Sequence, residues 1–186
     1  MAALRARYSV PVQYLQGPGP DDQQIAAALD AALSAPDHGR LQPWRFRLVR
    51  GAARERFAEM LVASALARDP ATPAAALEKM RSRPLQAPLV IVASAEVIAH
   101  PKVPEGEQLL SAAAGLMNVL NAFYLQGFGA IWLTGPNTYD PAVARALGMD
   151  EDEQLLGFVY VGSIKPGAPM GASRSPPIAL VSDWRG

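Results

Sequence analysis

The chain has 186 residues, half of them hydrophobic and 18% charged, and its 17 basic and 17 acidic side chains give a formal net charge of zero. That length suits one domain with a sizeable core, and the balanced charge exerts no general pull toward nucleic acid or an anionic membrane. The absence of cysteine removes disulfides, thiol nucleophiles, iron–sulfur ligation and cysteine-bound zinc, and the only histidines, His38 and His100, are too far apart in sequence to suggest a metal site.

The first twenty residues end in GPGP, a poor setting for regular structure. MAALRARYSVPVQ lacks the apolar run of a signal peptide, so a cytoplasmic location is expected. From Asp21, DDQQIAAALDAALSA predicts a helix that Asp21 or Asp22 caps, alanine propagates and Pro36 ends. APDHGRLQPWRF, residues 35–46, then concentrates a titratable ring, two cations (Arg40 and Arg45) and an aromatic, a composition suited to lie against something anionic or planar. WRFRLV alternates large apolar and charged residues and reads as a strand starting after Pro43. GAARERFAEMLVASALA is an amphipathic helix, ARDPATPAA breaks it, and ALEKMRSR gives a short helix ending before Pro84. APLVIVASA is an apolar, β-branched run and reads as a buried strand.

HPKVPEGEQ is irregular and feeds a long helix over about 107–126. Ser111, Asn118, Asn121 and Tyr124 interrupt its apolar stretch, which falls short of the roughly 20 residues of a membrane span. Being apolar on most sides, the helix must be covered all round. Gln108, Ser111, Gly115 and Asn118 form one stripe where another helix can approach closely. Glu105 and Glu107 read as dipole complement at its start, since their i, i+2 spacing does not put them face to face. GFGAIWLTG predicts a glycine-hinged strand and loop. DPAVARALG predicts a short helix capped by Asp140, with Pro141 at its first position and Gly148 at its close. QLLGFVYVGS is another strand. Beyond Ile164 the chain is rich in proline, glycine and serine, yet IALVSDW is too apolar for a free tail, so this segment reads as an extended arm packing on a second subunit.

This order predicts a sheet flanked by helices. GFGAIW lacks a third glycine and opens a strand rather than a helix, which excludes a classical dinucleotide fold. His38 and His100 stand in turns without a strand–nucleophile–helix signature, so no Ser-His-Asp set assembles.

Four segments, APDHGRLQPWRF, HPKVPEGEQ, QGFGAIWLTG and LGFVYVGSIKP, resemble the small NAD(P)H-dependent FMN nitroreductase family, most closely its YdjA-type members. The resemblance runs from about Arg7 to Gly162 and more weakly through the arm. It implies an α+β, nitroreductase-like fold with a central, mostly antiparallel sheet flanked by helices. Residues 1–186 would form a single FMN-binding domain, with 164–186 an arm exchanged in a homodimer and one FMN at each of two subunit interfaces. NADH or NADPH would reduce the FMN, which would reduce a nitroaromatic, quinone or related acceptor by a ping-pong mechanism. The alternatives are a relative that turns the flavin to dehalogenation or enone reduction, and a flavin-binding or carrier module without significant turnover.

The resemblance also assigns residues. Arg7-Tyr8-Ser9 matches a phosphate motif, in which Arg7 supplies a forked donor and Ser9 a hydroxyl. Tyr8 stands where the family has a basic residue, Ser34 where the closest members have arginine, and Pro11 where many carry a cation that steadies negative charge at flavin N1 and O2. His38 matches a loop histidine that contacts the FMN of the other subunit; by itself it reads as an imidazole bonded to Asp37 or to backbone. Trp44 reads as core, with Gln42 and Pro43 shaping the turn before it. Trp132, Leu133 and Thr134 match a flavin-edge loop whose backbone N–H orients flavin N5, the atom that does the chemistry; the other reading is a plain buried strand. Ala122, Phe123, Tyr124, Leu125, Gln126 and Gly127 match the segment associated with nicotinamide nucleotide, and read equally as core. Arg174 resembles the basic residue preceding the arm and is a second phosphate candidate; Ala172 replaces the lysine that often precedes it.

Overall fold

The computed structural model describes residues 2–169, 171 and 180–185. The apolar run Leu89–Glu96 forms β3, the strand around which the sheet is built. It pairs on one side with β2 (Trp44–Arg50) and on the other with β5 (Glu153–Ile164). β5 also pairs with β4 (Gly129–Leu133) and, at its C-terminal end, with β1 (Leu15–Gln16). Every pairing is antiparallel.

Alternation along β3 assigns side chains to two cores. Leu89, Ile91, Ala93 and Ala95 enter a core covered by α2 (Asp22–Asp30) and α5 (Glu105–Leu125). Val90 and Val92 enter a second one covered by α3 (Ala53–Arg68), α4 (Ala74–Gln86) and α6 (Pro141–Ala146). With helices on both faces, β3 is buried from Leu89 to Ala95, which is why its sequence carries no polar alternation. Helix starts follow local chemistry. The Asp21 carboxylate accepts from the Gln24 N–H at 2.8 Å and the Gln24 side chain accepts from the Asp21 N–H at 3.0 Å, closing a capping box on α2. Asp140 accepts from the Ala142 N–H at 2.8 Å and starts α6.

Three elements depart from expectation. α4 begins at Ala74 and continues through Pro84 to Gln86, because a proline in the last turn removes only one hydrogen bond. The opening segment holds a short helix, α1 (Ala2–Ala6), and β1, where long-range pairing overrides the local Gly/Pro content: the Lys165 N–H reaches the Tyr14 carbonyl at 2.8 Å. α5 is 21 residues long, enough by length and composition to cross a membrane, yet Leu116, Val119 and Phe123 on its inner face are fully buried in the first core.

The small-residue stripe of α5 is approached closely, by the single 3-10 turn Ala31–Ser34 rather than by a full helix. A Cβ on Gly115 would sit 3.3 Å from the Ala32 Cβ and 3.2 Å from the Trp44 ring. Gln108 is buried by bonding back to the Ile98 N–H (3.0 Å) and C=O (2.8 Å). On the opposite side of α5, Leu110 is 72% and Leu125 64% exposed, not covered by any of the described residues.

Two carboxylates tie the layers together. Glu153, almost wholly buried, accepts from Arg47 at 2.7 Å and from Ser94 at 2.8 Å. Asp140 accepts from Ser64 and Arg68 in addition to its cap. The Arg47 bond holds Glu153 below the usual carboxylate range, and the Ser64 hydroxyl, with the Ala142 N–H and Arg68, does the same for Asp140. Both folded pKa values lie below the unfolded ones, so the stability they confer is present at neutral pH and disappears as pH falls through about 4 and below. The urea midpoint should therefore stay level from about pH 7 to 5.5 and drop below about 4.5. A Glu153→Gln/Asp140→Asn variant should start lower at neutral pH and lose less on acidification; an equal acid loss in both proteins would assign it to other groups.

Candidate active site

The N-terminal segment is fixed beside β4 by a hydrogen bond from the Val10 N–H to the Ala130 carbonyl, 3.1 Å. Arg7 is half-buried, Ser9 exposed, and Tyr8 packs on the second core. A Cβ on Gly171 would fall 2.4 Å from the Tyr8 Cβ, so the chain beyond β5 returns onto this segment. Arg174, three residues further, lies outside the described residues.

β4 splits its side chains between the two cores. Trp132 turns toward α5's core, its indole donating to the Leu156 carbonyl at 3.0 Å; Leu133 turns toward the α3–α4 core. The close approach depends on Gly157, which stands at φ 139° where β5 bulges against β3. A Cβ there would lie 2.6 Å from the Leu133 carbonyl oxygen and 2.5 Å from the indole nitrogen.

Between α3, α4 and the loop Leu133–Thr138 is a cavity of about 430 Å³. Its apolar lining includes Leu61, Met80, Leu133, Phe158 and Tyr160, and Thr134 lines it as well. Three cations also line it, Arg68, Lys79 and Arg83, with a single acid, Asp69. Arg68 serves the structure: it donates to Ser64 (2.7 Å), to the Asp140 carboxylate and to the Asn137 side-chain carbonyl, and so fixes the loop wall. Lys79 and Arg83 make no ion pair or side-chain hydrogen bond among the described residues. A smaller cavity of about 180 Å³ adjoins the first, sharing Lys79, Arg83 and Leu133 and adding Pro11, Gln13 and Ser82. Burial pushes the Tyr160 phenol up to about 12 against the opposing field of Arg83, so it stays neutral at physiological pH. A largely apolar lining with two unpaired cations suits an apolar ring system that carries polar or anionic groups.

The remaining sequence-assigned residues lie with α5, across the sheet. The Asp37 carboxylate accepts from the backbone N–H groups of Leu41 (3.1 Å) and Gln42 (2.8 Å), holding a loop in which Gly39, Arg40 and Gln42 all have positive φ. Asp37 is therefore not the partner of His38, whose Nδ1 lies 2.7 Å from Glu107 Oε2 in the first turn of α5. Of the two loop cations, Arg45 is engaged with the Gln42 carbonyl and with Glu96, whereas Arg40 is exposed. Ser34 donates to the Ala31 carbonyl at 2.8 Å and accepts from Asn118 at 3.1 Å. In the 122–127 segment Phe123 is fully buried, edge-on to Phe128; Gln126 donates to the Gln24 carbonyl at 3.1 Å, and Leu125 is exposed. One chain thus brings Arg7, Tyr8, Ser9, Leu133 and Thr134 to one side and leaves Ser34, His38 and 122–127 on the other. Lys79, Arg83, Phe158 and Tyr160 were not singled out from sequence; the i, i+4 spacing of Lys79 and Arg83 in ALEKMRSR was the available signal.

The profile of the Nitroreductase family matches residues 4–163. An Escherichia coli (strain K12) protein named "Putative NAD(P)H nitroreductase YdjA" is 38% identical over 149 residues, 80% of this chain and 80% of that protein. Among solved structures, a nitroreductase-like family protein from Bacillus cereus superposes with a TM-score of 0.83 at 20% identity, covering 99% of this chain and 95% of the other. A mutant of the FMN and NADPH-dependent nitroreductase NfnB from sphigopyxis sp. strain HMH superposes with a TM-score of 0.77 at 19% identity, covering 100% and 98%. The antiparallel sheet between two helical layers is thus the nitroreductase-like α+β fold, and the chain belongs to the nitroreductase family.

Proposed function

We propose that this protein is an FMN-dependent oxidoreductase that takes hydride from NADH or NADPH and reduces a nitroaromatic, quinone or related acceptor in ping-pong order. The observation that carries the reading is the cavity itself: Leu133, Thr134, Phe158 and Tyr160 line it together with the α4 cations Lys79 and Arg83, and Pro11 and Gln13, just after the Arg7–Ser9 segment, line the cavity that adjoins it. These residues fit FMN, an apolar tricycle with a polar edge and a phosphate tail. Bound FMN supplies hydride exchange between nicotinamide and acceptor. The chain's part is to hold and orient it. Arg7 and Ser9 provide donors for the phosphate. A backbone N–H of the Leu133–Thr134 loop would orient the ring edge that carries N5, and Leu133, Phe158 and Tyr160 would help exclude water from the ring.

The functional unit in this reading is a homodimer of a single domain over residues 1–186. Ser34, His38 and the 122–127 segment lie across the sheet from the cavity, so they serve a site only by facing the cavity of a second copy. Leu110, Leu125, Leu180 and Trp184 are exposed and apolar, the surface such an association and an exchanged arm over residues 164–186 would bury. Light scattering should give a stable dimer at micromolar concentration; a monomer with bound FMN would overturn this part.

Anaerobic addition of NADH or NADPH to the yellow, FMN-loaded protein tests the activity. Bleaching within seconds to minutes, reversed by a quinone or nitroaromatic, is the expected result. Pro11 and Ser34, which replace basic residues of the family pattern, favour a second reading, a flavin carrier without turnover. An oxidised flavin persisting for hours would establish it, and a colourless protein that cannot be reconstituted with FMN would overturn both.

A further inference from the structure

His38 is one of two imidazoles in the chain, and the fold holds them in opposite ways. The His38 Nδ1 lies 2.7 Å from Glu107 Oε2. A carboxylate only accepts, so Nδ1 carries the proton and, in the neutral ring, Nε2 is left as an acceptor. His100 is the reverse. Its Nδ1 accepts from the backbone N–H groups of Lys102 (3.2 Å) and Val103 (3.1 Å), which puts its proton on Nε2. This His100 turn braces the His38 loop: Val103 is buried, and a Cβ on Gly39 would sit 3.1 Å from its Cγ2. On the other side Asp37 clamps the Leu41 and Gln42 N–H groups, with Arg40 and Gln42 at φ 55° and 48°. Two non-glycine residues in the left-handed region cost free energy, and an exposed ion pair offsets little of it. The His38 and Glu107 side chains are 56% and 49% exposed, so this construction fixes a ring that the cores do not use.

Glu107 stands in the first turn of α5, and Leu110 and Leu125 follow it on the same exposed face, three and eighteen residues on. The pair therefore borders the apolar surface that a second copy would cover. We infer that Glu107 is the positioning residue of His38: it accepts from Nδ1–H, fixes the tautomer and direction of the ring, and presents Nε2 as an acceptor to FMN held in a second copy. The donors that FMN offers are its ring N3–H and its ribityl hydroxyls, so the bond runs to one of these and not to the dianionic phosphate, which only accepts. This assignment rests on the FMN and homodimer readings above and deepens them by naming the kind of atom that His38 meets and the residue that aims it.

Nitrogen NMR shifts of the two imidazoles, read at a pH where free histidine is neutral, report each tautomer. Wild-type protein should show Nδ1–H at His38 and Nε2–H at His100, and Glu107→Ala should abolish the Nδ1–H preference at His38 alone. Affinities for oxidised FMN and for riboflavin are then compared in Glu107→Ala, His38→Ala and the double variant. His38→Ala should weaken both ligands about tenfold, and Glu107→Ala about three- to tenfold. The double variant should match His38→Ala, because Glu107 acts only through the ring. Melting temperatures should stay within about 4 °C of the wild type, since an exposed pair contributes little stability. A loss confined to FMN, with riboflavin unchanged, would put His38 on the phosphate and overturn the inference. A further loss from Glu107→Ala in the His38→Ala background would give Glu107 a role of its own and overturn it equally. So would the same tautomer at both wild-type rings, or full affinity in Glu107→Ala beside an impaired His38→Ala. If wild-type protein binds no FMN, or binds it as a monomer, the functional reading fails and takes this assignment with it.

Discussion

Gly157→Ala is expected to destabilise the protein by about 2–6 kcal/mol, the sum of a strained backbone and an overpacked contact. The glycine stands at φ 139°, outside the range that residues with a Cβ adopt readily. Relaxing φ alone does not solve the problem, because the added Cβ would lie 2.6 Å from the backbone carbonyl oxygen of Leu133, the β4 residue in register with Phe158 of β5. Nor can the Trp132 indole, 2.5 Å away, withdraw without giving up its 3.0 Å bond to the Leu156 carbonyl. The strands must separate, and Leu133–Thr134 would move with β4. For a chain of this size the loss corresponds to a melting temperature lower by roughly 5–20 °C. FMN affinity should fall in the same variant, since the rim of the cavity shifts. Gly51→Ala is the control: its φ is 56°, but a Cβ there meets nothing within 4 Å, so only the backbone term of about 1 kcal/mol remains. Equal melting temperatures for the two variants would mean that β4 and β5 are free to part at Gly157.

The same contact shows what a sequence can and cannot disclose. The glycine in QLLGFVYVGS reads as an ordinary interruption of a strand; only the partner strand, about 25 residues earlier, makes it obligatory. Elements whose boundaries are written locally were legible. The Asp21 capping box, the Asp140–Pro141 start of α6 and the β-branched run of β3 all use chemistry within four residues of where it acts. Those decided at long range were not. β1 exists because β5 offers an edge, and α4 survives Pro84 because only its last turn is affected. The candidate site divides in the same way. Segments that matched the family pattern were found, but their separation onto two faces of one sheet depends on the register of β4 and the placement of α5. His38 illustrates the point, since its partner Glu107 is 69 residues away and its neighbour Asp37 is occupied by backbone N–H groups. Lys79 and Arg83 are unremarkable in a charged helix until β4, β5 and Pro11 are folded against them.

Arg7→Ala should weaken FMN binding by about ten- to a hundredfold while leaving riboflavin binding nearly unchanged. A guanidinium–phosphate contact is a charge-assisted, forked interaction contributing roughly 1.5–3 kcal/mol, and each 1.4 kcal/mol is a factor of about ten in affinity. The segment is well placed for it: Val10 is locked to β4 next to the cavity, Arg7 is half-buried, and the Ser9 hydroxyl is exposed. Arg174 is the second donor in this proposal and lies outside the described residues. Arg174→Ala should then produce a loss of similar size. The double variant should lose less than the product of the two, because both guanidinium groups address one dianion and compete for its oxygens. Riboflavin, which lacks the phosphate, separates this from damage to the fold: a variant that loses FMN and riboflavin alike has lost its ring site or its structure. Additive losses would place the two arginines on separate groups. Full FMN affinity in both single variants would end the phosphate assignment and leave the cations of α4 as the principal anion-binding charges of the site.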